Sequence, residues 1–151
     1  MNIRRANIDD IDKLLDLAYP AYIMHYNARP DLFKIHKKED VYNELEYAMK
    51  NPFSITLVVE ENGIFRGYIS FSCLYKVVNS LWINQLYVEE KSRKKGYGKA
   101  LINEVELYAR ENNFERIELN CWSFNENAID FYNRLNFKSQ RIVYEKDVQN
   151  E

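Results

Sequence analysis

The chain has 151 residues, 46% of them hydrophobic and 29% charged, with 21 Lys and Arg against 23 Asp and Glu. That length and mixture fit one folded domain with its own core, and they exclude a disordered acidic tail, a disulfide scaffold and a globally basic nucleic-acid binder. Cys73 and Cys121 are the only cysteines and both lie in strand-like segments, so reduced, buried thiols are expected.

The start, Met1-Asn-Ile-Arg-Arg-Ala-Asn, has no apolar stretch, and no segment approaches the roughly eighteen apolar residues of a membrane span. A cytoplasmic protein without membrane contact is the expectation. Residues 2–6 read as a short strand. Asp9 or Asp10 is placed to cap a helix carrying Ile11, Leu14, Leu15 and Ala18 at helical spacing, which Pro20 is expected to interrupt. A second helix spans about 39–50 and stops before Asn51-Pro52. Ser54–Glu61 and Ile64–Tyr75 are strand-like runs joined by Asn62-Gly63, the strongest short hairpin signal. A further strand over Leu81–Glu89 leads to a helix at 98–112, with Leu101, Val105, Tyr108 and Ala109 on one stripe. Arg116–Trp122 is strand-like, Asn125–Leu135 helical, and Phe137–Lys146 reads as a last strand or two. An antiparallel run followed by alternating strands and helices implies an α/β (α+β) three-layer domain over 1–151. Its sheet would be mixed, mostly antiparallel and of six to seven strands, with helices on both faces.

Between the strand at 81–89 and the helix at 98–112 lies Lys91-Ser-Arg93-Lys94-Lys95-Gly96-Tyr97-Gly98-Lys99-Ala100, which holds two of the four glycines. Five cations fall there with no acid among them, and setting them aside leaves 16 basic residues against 23 acidic. Strand, glycine-containing basic turn and helix is the arrangement that cradles a phosphate, because turn N–H groups converge and the helix N-terminus adds partial positive charge. A P-loop does not fit: Arg93 stands where the first glycine belongs and Ala100 replaces the metal-binding hydroxyl. A dinucleotide fingerprint lacks its third glycine, since Leu101 stands there. What remains is Arg93-x-x-Gly96-x-Gly98.

Downstream comes Asn125-Glu-Asn-Ala128-Ile-Asp-Phe131-Tyr132-Asn-Arg-Leu135-Asn136-Phe137. With these two ordered motifs the chain resembles the GCN5-related N-acetyltransferase (GNAT) superfamily nearly end to end. The first looks like that family's acetyl-CoA turn, the second like its Asn-x-x-Ala-x-x-Phe-Tyr-x-x-x-Gly-Phe segment. Asn136 replaces the usual glycine, a small change because Asn tolerates a left-handed cap. Asn84-Gln85 stands where many relatives carry an acid, so no general base is identified.

The resemblance implies acceptor-side helices over about 9–50 and an acetyl-CoA-binding half over about 80–137. The fourth strand would splay from the fifth, and the coenzyme arm would pair with backbone near Leu86, Tyr87 and Val88. Its pyrophosphate would sit on the N–H groups of residues 94–99, with Arg93, Lys94, Lys95 and Lys99 adding charge around Gly96, Tyr97 and Gly98. Asn125 would contact the arm, and Tyr132 would serve the departing thiolate. Tyr22, His25, Tyr26, Arg29 and Asn84 would lie on the acceptor side. The implied activity is acetyl-CoA-dependent acetylation of a primary amine on a small molecule or peptide, without a metal; the alternative is a non-catalytic module that senses acyl-CoA. A homodimer through the C-terminal strands is implied by the same resemblance.

Other readings of these residues stand beside that one. The basic turn could be a solvated loop or a nucleic-acid patch, against which the negative overall balance speaks. Ala128, Phe131, Tyr132 and Leu135 also have the spacing of a packed helix face. His25 and His36 have no companions at zinc spacing, so no metal is expected. Glu60, Glu118 and Asn120 could face a cleft or form an ordinary solvent-facing row.

Overall fold

The structure is a computed structural model that describes residues 1–148; the last three residues of the expected 1–151 domain lie outside them. The described chain divides into two compact units, Met1–Asn120 and the segment from Cys121 onward, each taken by itself.

In the first unit, β1 (Asn2–Arg5), β2 (Ser54–Glu61), β3 (Ile64–Leu74), β4 (Ser80–Val88) and β5 (Arg116–Leu119) form one sheet in sequence order. All neighbours are antiparallel except β4 and β5, which are parallel. The sheet therefore has five strands, not the six to seven expected. Asn62 and Gly63, at φ 53° and 76°, make the hairpin turn between β2 and β3 that their left-handed tolerance predicts.

Before α1 (Ile11–Ala28) comes a single 3₁₀ turn, Ile8–Asp10. That turn is capped by Asn7, whose Oδ1 accepts from the Asp9 N–H (2.9 Å) while the Asp10 carboxylate accepts from the Asn7 N–H (2.9 Å); Asp10 stands at the N-cap of α1, as expected, but makes no side-chain cap bond there. Asp10 also takes two hydrogen bonds from Arg4, at 2.9 and 3.0 Å, which hold its carboxyl below the usual carboxylate range although burial alone would raise it. Helix α1 continues through Pro20. A mid-helix proline costs about 3 kcal/mol. Leu14, Leu17 and Ala18 before it and Tyr22 after it pack into one core, and two or three buried apolar side chains at roughly 1.5–3 kcal/mol each offset that cost.

The cluster of Ile11, Leu14, Leu17 and Ala18 with Val41 and Leu45 of α2 (Lys38–Lys50) closes on Val58, Phe65 and Tyr68. On β3, Ile69 and Phe71 alternate with Tyr68 and point to the opposite face. There Phe71 meets Tyr108 of α3 (Tyr97–Glu111) at 5.5 Å between ring centres, above a stripe of Leu101, Ile102 and Val105. Helices thus cover both faces of this sheet.

In the second unit, α4 (Glu126–Arg134) ends at Asn136, whose φ of 67° is the left-handed cap anticipated for it. The expected strand or strands over Phe137–Lys146 do not form, so the C-terminal strands invoked for a homodimer are absent from the described residues. Ile142, Val143 and Tyr144 have strand-forming character, but a strand exists only beside a ladder partner, and this unit holds none for them among the described residues. Cys73 is half-buried and Cys121 exposed, so the expectation of two buried thiols fails; both are free. No helix among the described residues is long and apolar enough to cross a membrane.

Gly67 of β3 lies tightly against β4. A Cβ there would stand 2.8 Å from the Tyr87 carbonyl oxygen and 3.1 Å from Val88 Cγ2. Gly67→Ala should therefore destabilise by about 1–3 kcal/mol, read as a fall in melting temperature of roughly 3–10 °C. An unchanged melting temperature would show that the two strands are free to separate.

Candidate functional site

Strand β4 reads Ser-Leu-Trp-Ile-Asn-Gln-Leu-Tyr-Val, hydrophobic after Ser80 except for two adjacent amides in its middle. Its register with β3 runs Ser70↔Gln85 and then Phe71↔Ile83, so Asn84 is an extra residue, a β-bulge. A regular strand would send Asn84 and Gln85 to opposite faces. Here both line one cavity of about 290 Å³, on the face covered by α1 and α2.

A chain of hydrogen bonds fixes that cavity. The Tyr68 hydroxyl, deep in the core, donates to Gln85 Oε1 (2.5 Å); Gln85 Nε2 donates to the Tyr22 hydroxyl (2.7 Å); and Tyr22 donates to Glu44 Oε2 (2.5 Å). The other Glu44 oxygen lies 3.5 Å from His36 Nε2, and the His36 ring meets Tyr22 edge-on at 5.0 Å. Burial first, then the Glu44 carboxylate, push the Tyr22 phenol above its ordinary range, so it stays protonated at neutral pH. Ser54 and Ser72 share a hydrogen bond of 2.9 Å across β2 and β3, and Asn84 Nδ2 donates to Ser72 Oγ (2.8 Å).

The β4–β5 ladder ends at Ile83↔Leu119, and Asn84–Val88 have no ladder partner on that side among the described residues. The Glu89 N–H bonds to the Arg66 carbonyl (2.9 Å), so strand alternation directs the backbone groups of Leu86 and Val88 away from β3, toward the open side. Arg93 Nε donates to the Val88 carbonyl (3.0 Å) and its guanidinium lies 5.4 Å from the centre of the Tyr87 ring.

Beyond β4 the chain turns through Lys94 (φ 62°) and Gly96 (φ 90°) into α3. The helix begins at Tyr97, one residue before the expected start. Its first internal bond runs from the Ala100 N–H to the Gly96 carbonyl (3.0 Å), which leaves the N–H groups of Tyr97, Gly98 and Lys99 directed out of the helix end. A Cβ at Gly96 would meet nothing within 4 Å, so the turn's surface is open there. Two side-chain ties hold the turn to the β2–β3 hairpin. Glu89 accepts from Ser92 Oγ (2.5 Å) and from Arg66 Nη1 (2.8 Å), and the buried Tyr97 donates its hydroxyl to Glu61 Oε2 (2.7 Å). Tyr97 therefore offers the turn its backbone, its ring being used as an anchor. Lys94, Lys95 and Lys99 are exposed and unpaired with any carboxylate among the described residues.

In the second unit, Asn125 caps α4 with its side-chain oxygen on the Ala128 N–H (3.3 Å). Tyr132 packs edge-on against Phe131 and Phe137 at 5.2 and 5.4 Å, and burial, then the Cys121 thiol, push its phenol above the ordinary range.

Of the acceptor-side residues expected, Tyr22 and Asn84 line the cavity. His25, Tyr26 and Arg29 do not: His25 bonds the Ala21 carbonyl (2.7 Å) and packs on Phe33, and Arg29 forms a fork with Asp31 at 2.9 and 2.8 Å. Glu60 is engaged by Arg4 (3.0 Å), and Glu118 turns inward to Lys76 Nζ (2.6 Å), so neither serves this cavity. The residues sequence reasoning missed are Glu44, Gln85 and the seryl hydroxyls. The adjacent amides in an apolar strand signalled the bulge, and Ser54-x-Thr56 with Ser70-x-Ser72 signalled a hydroxyl row at strand period. Among the described residues no group of His, Cys, Asp and Glu could hold a metal ion.

The chain matches the model of the acetyltransferase (GNAT) family over residues 11–137. It is similar to the uncharacterized N-acetyltransferase MJ1207 of Methanocaldococcus jannaschii, 29% identical over 93% of this chain, and spans 62% of that relative's length. Its fold is similar to that of a substituted form of the BH1408 protein from Bacillus halodurans, at TM-score 0.92 and 23% identity over 98% of this chain and 99% of the other. It is also similar in fold to AAC(6')-Iy, solved in complex with the bisubstrate analogue CoA-S-monomethyl-acetylneamine, at TM-score 0.74 and 15% identity over 97% of both chains. A turn of this geometry on an opened strand, and a family match covering most of the chain, lead to one assignment: the protein belongs to the acetyltransferase (GNAT) family.

Proposed function

We propose that this protein transfers the acetyl group of acetyl-CoA to a primary amine of a small molecule or peptide by direct attack on the thioester. The observation that carries the reading is β4, which loses its β5 partner after Ile83 and then runs through a basic turn with two positive-φ residues into the N-terminus of α3. Unpaired strand backbone suits an amide-bearing ligand arm, and converging N–H groups beside unpaired lysines suit a pyrophosphate. AAC(6')-Iy, solved with a coenzyme A conjugate, shares the fold and supports the same ligand here.

Acetyl-CoA supplies an acetyl group activated as a thioester. Leu86 and Val88 would pair with its amide arm, the N–H groups of 94–99 would hold its phosphates, and Arg93, Lys94, Lys95 and Lys99 would balance its charge. A backbone N–H on the open edge of β4 is the natural donor to an oxygen that gains negative charge. The cavity beside Asn84 and Gln85 would receive the amine. An alkylamine near pKa 10.4 is about one part in 10³ neutral at pH 7, a handicap of roughly 4 kcal/mol, part of which a base, or a water chain leading to one, must offset.

Tyr132 is assigned the departing sulfur. Its phenol is held protonated by burial, and with its pKa raised it is a weaker acid than a thiol near 8.5. Its part is therefore to donate a hydrogen bond as charge develops on sulfur, while the nitrogen's proton makes good the balance. Asn125, besides capping α4, is assigned a contact with the coenzyme arm. A module that only senses acyl-CoA would share the binding residues and lack turnover; release of free thiol with any amine distinguishes the two.

Three outcomes follow from this reading. Acetyl-CoA at a hundred times its dissociation constant should stabilise by about 2.7 kcal/mol, raising the melting temperature by roughly 5–10 °C where ATP and NAD do not; no rise removes the coenzyme site. Gly96→Ala, strained by about 1–3 kcal/mol at φ 90°, should weaken acetyl-CoA binding about tenfold in a titration, and unchanged binding would show that the turn does not need its left-handed residue. Tyr132→Phe should lower kcat about 10²-fold while the acetyl-CoA dissociation constant moves less than about threefold. Equal kcat in the two proteins ends the assignment of Tyr132.

A further inference from the structure

The cavity beside the β4 bulge has a marked charge asymmetry. Glu44 is the one charged residue that lines it, and no Lys or Arg does. The rest of its polar surface is neutral, made of hydroxyls and amides such as those of Tyr22, Ser72, Asn84 and Gln85. Its volume, about 290 Å³, lies just under the roughly 300–1,000 Å³ of small-molecule sites, which suits a compact ligand group. The carboxylate is also fixed in place. Tyr22 holds one oxygen at 2.5 Å, His36 stands 3.5 Å from the other, and Tyr22 is itself held by Gln85 and, through it, by Tyr68.

A ligand entering such a site meets one fixed negative charge and a row of hydroxyl and amide groups. A second ammonium or a hydroxyl on the ligand finds partners at once. A carboxylate on the ligand would stand beside Glu44 with no Lys or Arg in the lining to receive it, and like charges so placed repel even though solvent screens the half-exposed Glu44 in part. We propose that the acceptor is a compact cationic amine without a carboxylate, of the diamine or amino-alcohol class, and that Glu44 selects it by binding its positive charge.

This rests on the N-acetyltransferase reading, and its test separates the two. Cadaverine and lysine differ only by a carboxylate, as do ethanolamine and serine. Each pair is titrated calorimetrically into protein saturated with coenzyme A, where no turnover occurs, and kcat/KM is then measured by thiol release from acetyl-CoA. Cadaverine should bind at least tenfold more tightly than lysine, about 1.4 kcal/mol, with ethanolamine favoured over serine in the same sense. Glu44→Gln keeps an acceptor for Tyr22 but removes the charge. It should bring the cadaverine-to-lysine ratio to within about twofold by weakening cadaverine, with melting temperature and coenzyme A binding unchanged. A merely structural Glu44 would lower both affinities and leave the ratio intact, which overturns the proposal. So does equal or tighter binding of lysine by the unmodified protein, or binding of neither amine at millimolar concentration while coenzyme A binds. Failure of coenzyme A itself to bind would overturn the acetyltransferase reading and this inference with it.

Discussion

One extra residue in β4 sets the geometry on which the site depends. Because Asn84 has no partner in the β3 ladder, the strand is regular on either side of it but out of phase across it. Before the bulge, Leu81 and Ile83 point with Phe71 toward α3; after it, Gln85 and Tyr87 point with Tyr68 toward α1 and α2. The bulge thus does two things at once. It brings two amides to one cavity, and it increases local twist where β4 leaves β5, so the edge past Ile83 has no ladder partner among the described residues. Neither a straight strand nor a longer β5 ladder would leave both features side by side.

The two ends of this arrangement carry opposite charge. At the C-terminal end of β4 the chain gathers lysines and outward N–H groups around Gly96; on the face beside the bulge it places Glu44 and no cation. Both are in the first unit and both are reached from one strand. Bulk balance hides this, since the chain as a whole is nearly neutral. A ligand that is anionic and one that is cationic would each be drawn to its own place, and each would be repelled from the other's.

What could be read in the residues beforehand follows from the range of the interactions involved. The Asn62-Gly63 hairpin and the Asn136 cap depend on the φ of single residues, and both were legible. The glycine turn depends on residues a few positions apart, and it too was legible. Helix α1 running through Pro20 was not, because the outcome rests on distant burial against Val58 and Tyr68 outweighing a local penalty. The strand-like run after Phe137 misled for the same reason in reverse: its residues have the propensity but not the partner. Glu44 was invisible as a site residue, since nothing near it in the chain distinguishes one exposed helical glutamate from another. Only the fold brings Tyr22, 63 residues from Gln85, to its side.

The path from Tyr68 to Glu44 ties the polarity of the cavity to the packing of the core. An amide side chain can present either end and a hydroxyl can donate or accept, so the sense of the chain is set by its one acceptor-only member, Glu44, which takes the Tyr22 proton, leaves the Tyr22 oxygen for the Gln85 N–H₂ and so turns the Gln85 oxygen to Tyr68. Each member is oriented by the one nearer the carboxylate, and the chain ends on a side chain that is 1% exposed. Removing the Tyr68 hydroxyl would leave the Gln85 oxygen without its donor in the core, while the bonds from Gln85 to Tyr22 and from Tyr22 to Glu44 would keep their sense. The carboxylate that faces the cavity is in this sense a surface group with a core address, and the alternation of β3 is what delivers it.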